Sequence, residues 1–78
     1  SDELIARAET QDMVCMTVAN LPQHYGEVLQ KKYVHGASVA ELSAELDLSE
    51  DAVKSLLARA RHAFRATFEI VSQAARST

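Results

Sequence analysis

Four side chains that donate hydrogen bonds follow a helix-capping serine in the stretch LSEDAVKSLLARARHAF, residues 48–64. Ser49 suits the start of a helix, and Lys54, Ser55, Arg59 and Arg61 lie beyond it. Such donors near the beginning of a helix are the groups that contact base edges and phosphates in a DNA groove. The spacing therefore predicts either a helix that reads DNA or an amphipathic helix of similar composition.

The net charge of −3 argues against a nucleic-acid binder, but the charge is unevenly distributed. Residues 1–51 carry a net charge of −7, and residues 52–78 carry +4. Charges more than about 8 Å apart are largely screened at physiological salt, so a basic segment can form a local phosphate-facing patch within an acidic domain. The alternative is that these cations form a solvated helix face.

The residue types and their spacing give little support for metal binding or catalysis. His24, His35, His62 and the single Cys15 lack the spacing of a metal site. The sequence shows no nucleophile motif, carboxylate pair or glycine-rich phosphate loop, so we expect no enzyme, no cofactor and no small-molecule substrate. With one cysteine, no visible signal peptide and no apolar run near the ~20 residues that span a bilayer, we expect a cytoplasmic protein without a membrane partner.

The spacing of apolar residues predicts helices and no strands. Pro22 suits the first turn of a helix, and Gly36 suits a left-handed end of the same helix. Ser38 and Glu41 have the spacing of a capping box, in which each side chain bonds the other residue's backbone amide. The predicted helices cover residues 1–19, 22–34, 38–46 and 49–75.

The first predicted helix contains apolar residues at roughly helical spacing, among them Ile5, Ala8, Met13, Met16 and Ala19. We expect Met13, Met16 and the neighbouring cysteine to lie in the core. The alternative is that they form an adaptable surface for a partner, because methionine side chains are flexible and polarisable.

A connection of only three residues, Asp47 to Ser49, joins the third helix to the fourth. A short helix, a brief turn and a capped second helix have the geometry of a helix-turn-helix. The small Ser43 suits the close approach of the two helices, Leu48 is expected to fill the turn, and Asp47 tolerates a left-handed backbone. We therefore predict one all-α, four-helix domain with a helix-turn-helix and no wing; the alternative is an ordinary helical hairpin. Because the chain begins with Ser1, we expect it to be part of a longer protein.

The stretch LPQHYGEVLQKKYVHGASVAELSAELDLSEDAVKSLLARARHAF, residues 21–64, resembles region 4 of bacterial sigma factors, especially the extracytoplasmic-function group. Its Leu-Pro start, its Gly-x-Ser-x-x-Glu segment and its Val-Lys-Ser…Arg-Ala-Arg segment fall in the family's order and register. The resemblance implies that the last helix enters the major groove of the promoter −35 element. It also implies that other faces hold the RNA polymerase core, with an anti-sigma factor as a further partner.

The resemblance also assigns DNA contacts by position. A phosphate contact falls on the second helix, and the other contacts fall at the beginning and further along the fourth helix. The residues are Lys32, Ser49, Asp51, Ala52, Lys54, Ser55, Leu56, Arg59 and Arg61. Independently of the family, the second turn of a recognition helix is where base edges are reached, which favours Lys54 and Ser55 for reading sequence. Arg59 and Arg61 lie further along and are better placed for phosphates.

Four positions depart from the family pattern. Ala52 stands where threonine is common, Leu56 and Gly26 replace arginines, and Asp51 replaces a common glycine. The Asp51 carboxylate repels phosphate unless it accepts a hydrogen bond from cytosine N4. Together with Glu50 it also complements the helix dipole, at about 0.3–1 kcal/mol each. The sequence thus predicts an intact scaffold with fewer DNA contacts.

Three interpretations follow. The first is a DNA-binding sigma region 4 that acts in transcription initiation. The second is a sigma-like interaction module that binds polymerase, an anti-sigma factor or a second copy, with weak DNA binding. The third is a LuxR-type regulator output domain, against which Leu21-Pro22 and the sequence Arg-Ala-Arg at residues 59–61 both argue.

The apolar periodicity of the fourth helix continues beyond the resemblance, through Phe64 and Phe68 to Val71. We expect Phe64 to close the core. Phe68, Ile70 and Val71 are expected to pack against the first helix or, alternatively, to form an apolar patch for a partner.

Overall fold

The computed structural model describes residues 2–76, which form four helices connected by short turns. The helices are α1 (Asp2–Ala19), α2 (Gln23–Tyr33), α3 (Val39–Leu46) and α4 (Glu50–Arg76). The predicted all-α fold with a helix-turn-helix is confirmed, and residues 2–76 contain no strand. None of the helices in this part of the chain is both long and apolar enough to cross a membrane.

Local side-chain chemistry sets the beginning of α3 and the turn before it. The amide of Glu41 donates to Ser38 Oγ at 3.0 Å, and the amide of Ser38 donates to Glu41 Oε1 at 3.0 Å. This confirms the predicted capping box, which satisfies two amides that the first helical turn leaves without partners. Gly36 has a φ of 73°, which confirms the predicted left-handed residue after α2.

The core lies where α2, α3 and α4 meet and consists of aliphatic side chains. Its buried members are Leu21, Val28, Leu29, Leu42, Val53, Leu57 and Ala60. Phe64 is half-buried and packs against this cluster, as predicted. Because three of the buried residues come from α4, the core fixes the rotation of α4 about its own axis and thereby decides which of its residues face solvent.

The first helix packs against α4 with a different face from the one predicted. Thr17 is fully buried, and its hydroxyl donates to the carbonyl of Met13 at 2.6 Å, so the buried polar group is satisfied within its own helix. Met13 is half-buried, whereas Cys15 is exposed and Met16 is 55% exposed. The assignment of Cys15 and Met16 to the core is therefore wrong, because positions 13 and 17 face inward and positions 15 and 16 do not.

Gly26 lies where α2 packs closely on Val18 of α1. A Cβ atom built on this buried glycine would lie 3.3 Å from Val18 Cγ1 and 3.5 Å from the Val18 carbonyl oxygen. A Cβ atom here is therefore tight against the Val18 side chain, and a longer side chain such as arginine meets α1. Close packing on α1 therefore explains why this chain has glycine where the sigma region 4 pattern has arginine.

The last helix extends well past the core. With 27 residues, α4 is about 40 Å long at ~1.5 Å per residue, and it sets the 43 Å longest dimension of the molecule. Phe68 and Val71 are half-buried, whereas Ile70 is 68% exposed. The ring of Phe68 stacks on that of Phe64, with centroids 5.9 Å apart.

Candidate nucleic-acid interface

Ser43 takes part in all the hydrogen bonds described for the turn between α3 and α4. Asp47 adopts the predicted left-handed conformation, with φ 55° and ψ 47°, and its amide donates to the Ser43 carbonyl. The amide of Leu48 donates to the same carbonyl at 3.1 Å, and the Ser43 hydroxyl donates to the Leu48 carbonyl. Leu48 is 41% exposed, so the prediction that it fills the turn is wrong; the backbone bonds close the turn instead.

Ser49 caps α4. Its hydroxyl accepts from the amide of Ala52 at 3.0 Å, and its carbonyl accepts from the amide of Val53 at 3.0 Å. The exposed carboxylates of Glu50 and Asp51 follow in the first turn, at the positive end of the helix dipole. The cap thus fixes where α4 begins.

The first half of α4 presents a polar side to solvent. Val53, Leu57 and Ala60 of α4 are buried. Because successive residues of a helix are rotated by about 100° about its axis, these buried positions determine which residues of α4 face solvent. The exposed polar residues of this outward side of α4 are Asp51, Lys54, Ser55, Arg59 and His62. Four of the residues assigned by resemblance, Asp51, Lys54, Ser55 and Arg59, therefore lie together.

The remaining assigned residues of α4 lie elsewhere. Leu56 is half-buried and packs against the core, and Ala52 is half-buried with its amide bonded to the capping serine. Arg61 is half-buried, and its Nη1 atom donates to the hydroxyl of Tyr33 at 3.1 Å. Tyr33 lies 28 positions away in sequence, so no local pattern could have indicated this bond.

The two lysines of α2 have different surroundings. Lys31 Nζ donates to Glu45 Oε1 at 2.6 Å and joins α2 to α3; this hydrogen bond, with the attraction of the carboxylate, raises the pKa of Lys31. Lys32, the assigned phosphate contact, is half-buried and forms no salt bridge with any residue between 2 and 76. Of the two ammonium groups, only that of Lys32 is therefore without a carboxylate partner in this part of the chain.

A second feature is an apolar groove of about 530 Å³ between α1, α2 and α4. Its apolar lining comes from all three helices, and Arg61 and Arg65 stand among the residues around it. The apolar residues are Val14, Val18, Leu29, Tyr33, Val34 and Phe64. The sequence did not indicate this groove, because it is formed by residues that are far apart in the chain. Among residues 2–76, no three His, Cys, Asp or Glu side chains are grouped so that they could hold a metal ion.

Comparison with known proteins bears on this geometry. A family model described as "Sigma-70, region 4" matches residues 13–63, which include the helix-turn-helix and its outward side. Comparisons with curated proteins and with solved structures gave no significant match. The match decides against the LuxR-type alternative and covers well over half of the chain. The chain belongs to the sigma-70 region 4 family, whose members are DNA-binding domains of transcription factors and not enzymes.

Proposed function

We propose that this chain recognises the −35 element of a bacterial promoter with the outward side of α4 in the major groove. Lys54 and Ser55 contact base edges, while Arg59 and Lys32 contact phosphates on either side of the groove. Phosphate contacts fix the register of the protein on the duplex, and base-edge contacts carry the sequence preference.

The observation that carries the proposal is the arrangement of α4. Its buried residues fix its rotation about its own axis, and Ser49 fixes where it begins. Donors suited to base edges (Lys54, Ser55) and to phosphate (Arg59) both lie on its outward side. An α-helix fits into the major groove, and the first turns of a recognition helix reach the bases. The family to which the chain belongs binds DNA, which supports the same assignment.

Few side chains of α4 can form hydrogen bonds with bases. Lys54 can donate to guanine O6 and N7 but lacks the two-pronged geometry of arginine. Asp51 repels phosphate but can accept a hydrogen bond from the N4 amino group of cytosine. Ala52 and Leu56 add no polar contact, and Arg61 is engaged with Tyr33. We therefore expect affinity near the non-specific range for the isolated domain.

We further propose that RNA polymerase core supplies the missing affinity by holding the domain at the promoter. The domain would then act in a sigma factor of the extracytoplasmic-function group, in the bacterial cytoplasm, where an anti-sigma factor can compete for it. The apolar groove supports a protein partner, because contiguous exposed apolar surface of this kind marks interaction sites.

The same groove favours a second candidate function, an interaction module in which DNA binding is minor. The two candidates differ in how strongly their DNA binding depends on salt. If Lys32, Lys54, Arg59 and Arg65 neutralise three to four phosphates, the log–log slope of affinity against salt is about −2.7 to −3.6. A slope near zero at low salt would favour the interaction module.

The test of base readout is a titration of wild-type protein and variants against preferred and random duplexes. Lys54→Ala should cost about 1–3 kcal/mol on the preferred site and relax preference at one base pair, whereas Arg59→Ala should weaken both duplexes equally. Arg7→Ala, in the first helix, removes the same charge far from α4 in sequence and serves as the control. Equal losses on both duplexes for Lys54→Ala would contradict its role in reading bases.

A further inference from the structure

An apolar face of α1 is exposed to solvent. Leu4 is 66% exposed, Ile5 57% and Met16 55%, and Ala8 and Cys15 are exposed as well. These five residues lie within about 120° of one another at 100° per residue. Met13 and Thr17, which pack inward, occupy the opposite side. We refer to the five exposed residues as the outer face of α1.

A carboxylate stands in the middle of this outer face. Asp12 follows Ala8 by four positions and precedes Cys15 and Met16 by three and four, so these residues surround it on the helix surface. Glu9 lies at the edge of the same face. Neither carboxylate forms a hydrogen bond or salt bridge with any residue between 2 and 76.

The charge of α1 limits what can cover the outer face. Four carboxylates and one arginine give α1 a net charge of −3, which repels nucleic acid. A second copy of the chain would bring this negative charge against itself. An acidic helix would meet the same repulsion, and a wholly apolar one would bury Asp12 without a partner, which is costly.

We propose that the outer face of α1 binds an amphipathic helix of a partner protein that carries lysine or arginine within its apolar stripe. The partner's apolar residues cover Leu4, Ile5 and Met16, and its central cation pairs with Asp12. The contact runs along α1, because a straight row of side chains on one helix packs best against the ridges of another. Glu9 adds a second, solvent-screened attraction at the edge.

The arrangement gives selectivity as well as attraction. Pairing at the centre of an apolar contact is desolvated, so removing one member leaves the other charge buried and unpaired. This site is separate from the outward side of α4 and does not depend on the proposed DNA function. Its loss should leave DNA binding unchanged.

The experiment uses two designed helical peptides as long as α1, with identical leucine stripes, one carrying lysine and one carrying glutamate at the stripe centre. Binding to the full chain is followed by nuclear magnetic resonance of backbone amides. We expect the lysine peptide to bind and to shift the resonances of Leu4, Ala8 and Met16, and the glutamate peptide not to bind.

Charge reversal then tests the role of Asp12. Asp12→Lys should weaken the lysine peptide about tenfold or more, equivalent to ~1.4 kcal/mol, and should allow the glutamate peptide to bind. Asp51→Lys makes the same change of charge on α4 and should leave both peptides unaffected. DNA titration of Asp12→Lys reports separately on the proposed function.

Three results would overturn the proposal. One is equal weakening by Asp12→Lys and Asp51→Lys, which would mean that overall charge decides. The second is a set of shifts confined to Val34 and Phe64, which would place the peptide in the groove. The third is reversible dimerisation of the wild-type chain in sedimentation equilibrium that Met16→Ser abolishes, which would assign the outer face to a second copy.

Discussion

Tyr33, the last residue of α2, accepts a hydrogen bond from the guanidinium of Arg61, three turns into α4, at 3.1 Å. The bond joins two helices outside the aliphatic core and lies at the mouth of the apolar groove, to which both residues contribute. It directs Arg61 toward α2, whereas the neighbouring Arg59 lies on the outward side of α4. Two arginines two positions apart thus face different surroundings.

A double-mutant cycle on this pair should show coupling. Tyr33→Phe removes the acceptor, Arg61→Ala removes the donor, and we expect a coupling of about 0.5–1 kcal/mol in the free energy of urea unfolding, because the bond is partly solvated. Tyr25→Phe is the matched control, since its hydroxyl forms no bond within the part of the chain described. Additive effects of the two changes would mean that the bond is not formed in solution.

The two apolar residues near the end of α4 should differ in their contribution to stability. Phe68 is half-buried against Phe64, so Phe68→Ala should lower the free energy of unfolding by about 1–3 kcal/mol, below the ~3–5 kcal/mol of a fully packed phenylalanine. Ile70→Ala is the control and should change it by less than about 0.5 kcal/mol, because Ile70 is exposed. Thermal melting followed by circular dichroism measures both, and similar values would reject the packing of Phe68.

Substitutions at Gly26 should depend on size. Gly26→Ala gains up to about 1 kcal/mol of helix propensity but tightens the contact with Val18, so we expect a net change within about 1 kcal/mol. Gly26→Val adds a Cβ atom and two methyl groups and should destabilise the domain by about 1–3 kcal/mol through overpacking. Ala44→Val, at an exposed position of α3, measures the cost of valine in a helix without the contact. If Gly26→Val costs no more than Ala44→Val, α1 does not pack closely on α2.

The capping box should make stability depend on pH in the acid range. Hydrogen bonds from the amide and hydroxyl of Ser38 lower the pKa of Glu41 below its usual value of 4.5. The stabilisation is therefore present above that value and is lost as the pH falls through the lower pKa of the folded state. Glu41→Gln keeps an acceptor for the amide but cannot titrate. Its melting temperature should therefore fall less than that of the wild type between pH 6 and pH 3, the range over which a carboxylate of lowered pKa becomes protonated. Glu9→Gln is the control, and an equal effect of both variants would contradict the prediction.

Features governed by neighbouring residues could be predicted from the sequence. The capping box, the left-handed Asp47 and the serine cap of α4 each depend on residues within about one turn, and each is present. The exposed positions of Lys54 and Ser55 follow from the apolar spacing of the same helix. Their role in reading bases stays a prediction.

Features governed by distant residues could not be predicted. The inward side of α1 is marked by Thr17, whose polar side chain is buried at little cost because it bonds within its own helix. Apolar spacing alone assigned Met16 to that side, since α1 carries apolar residues on two faces. The bond from Arg61 to Tyr33 and the salt bridge from Lys31 to Glu45 depend on how the helices pack, which no short motif specifies.

The length of α4 has a mechanical consequence. Its 27 residues include neither glycine nor proline, and sharp kinks in helices arise mostly at those residues. The half of α4 that carries Lys54 and the half that carries Phe68 therefore move together as one rigid helix. Under the proposed function, a protein that binds the half carrying Phe68 would set the angle at which the half carrying Lys54 meets a duplex. DNA binding would then be controlled about 20 Å along the helix from Lys54, without any change at the side chains proposed to contact DNA.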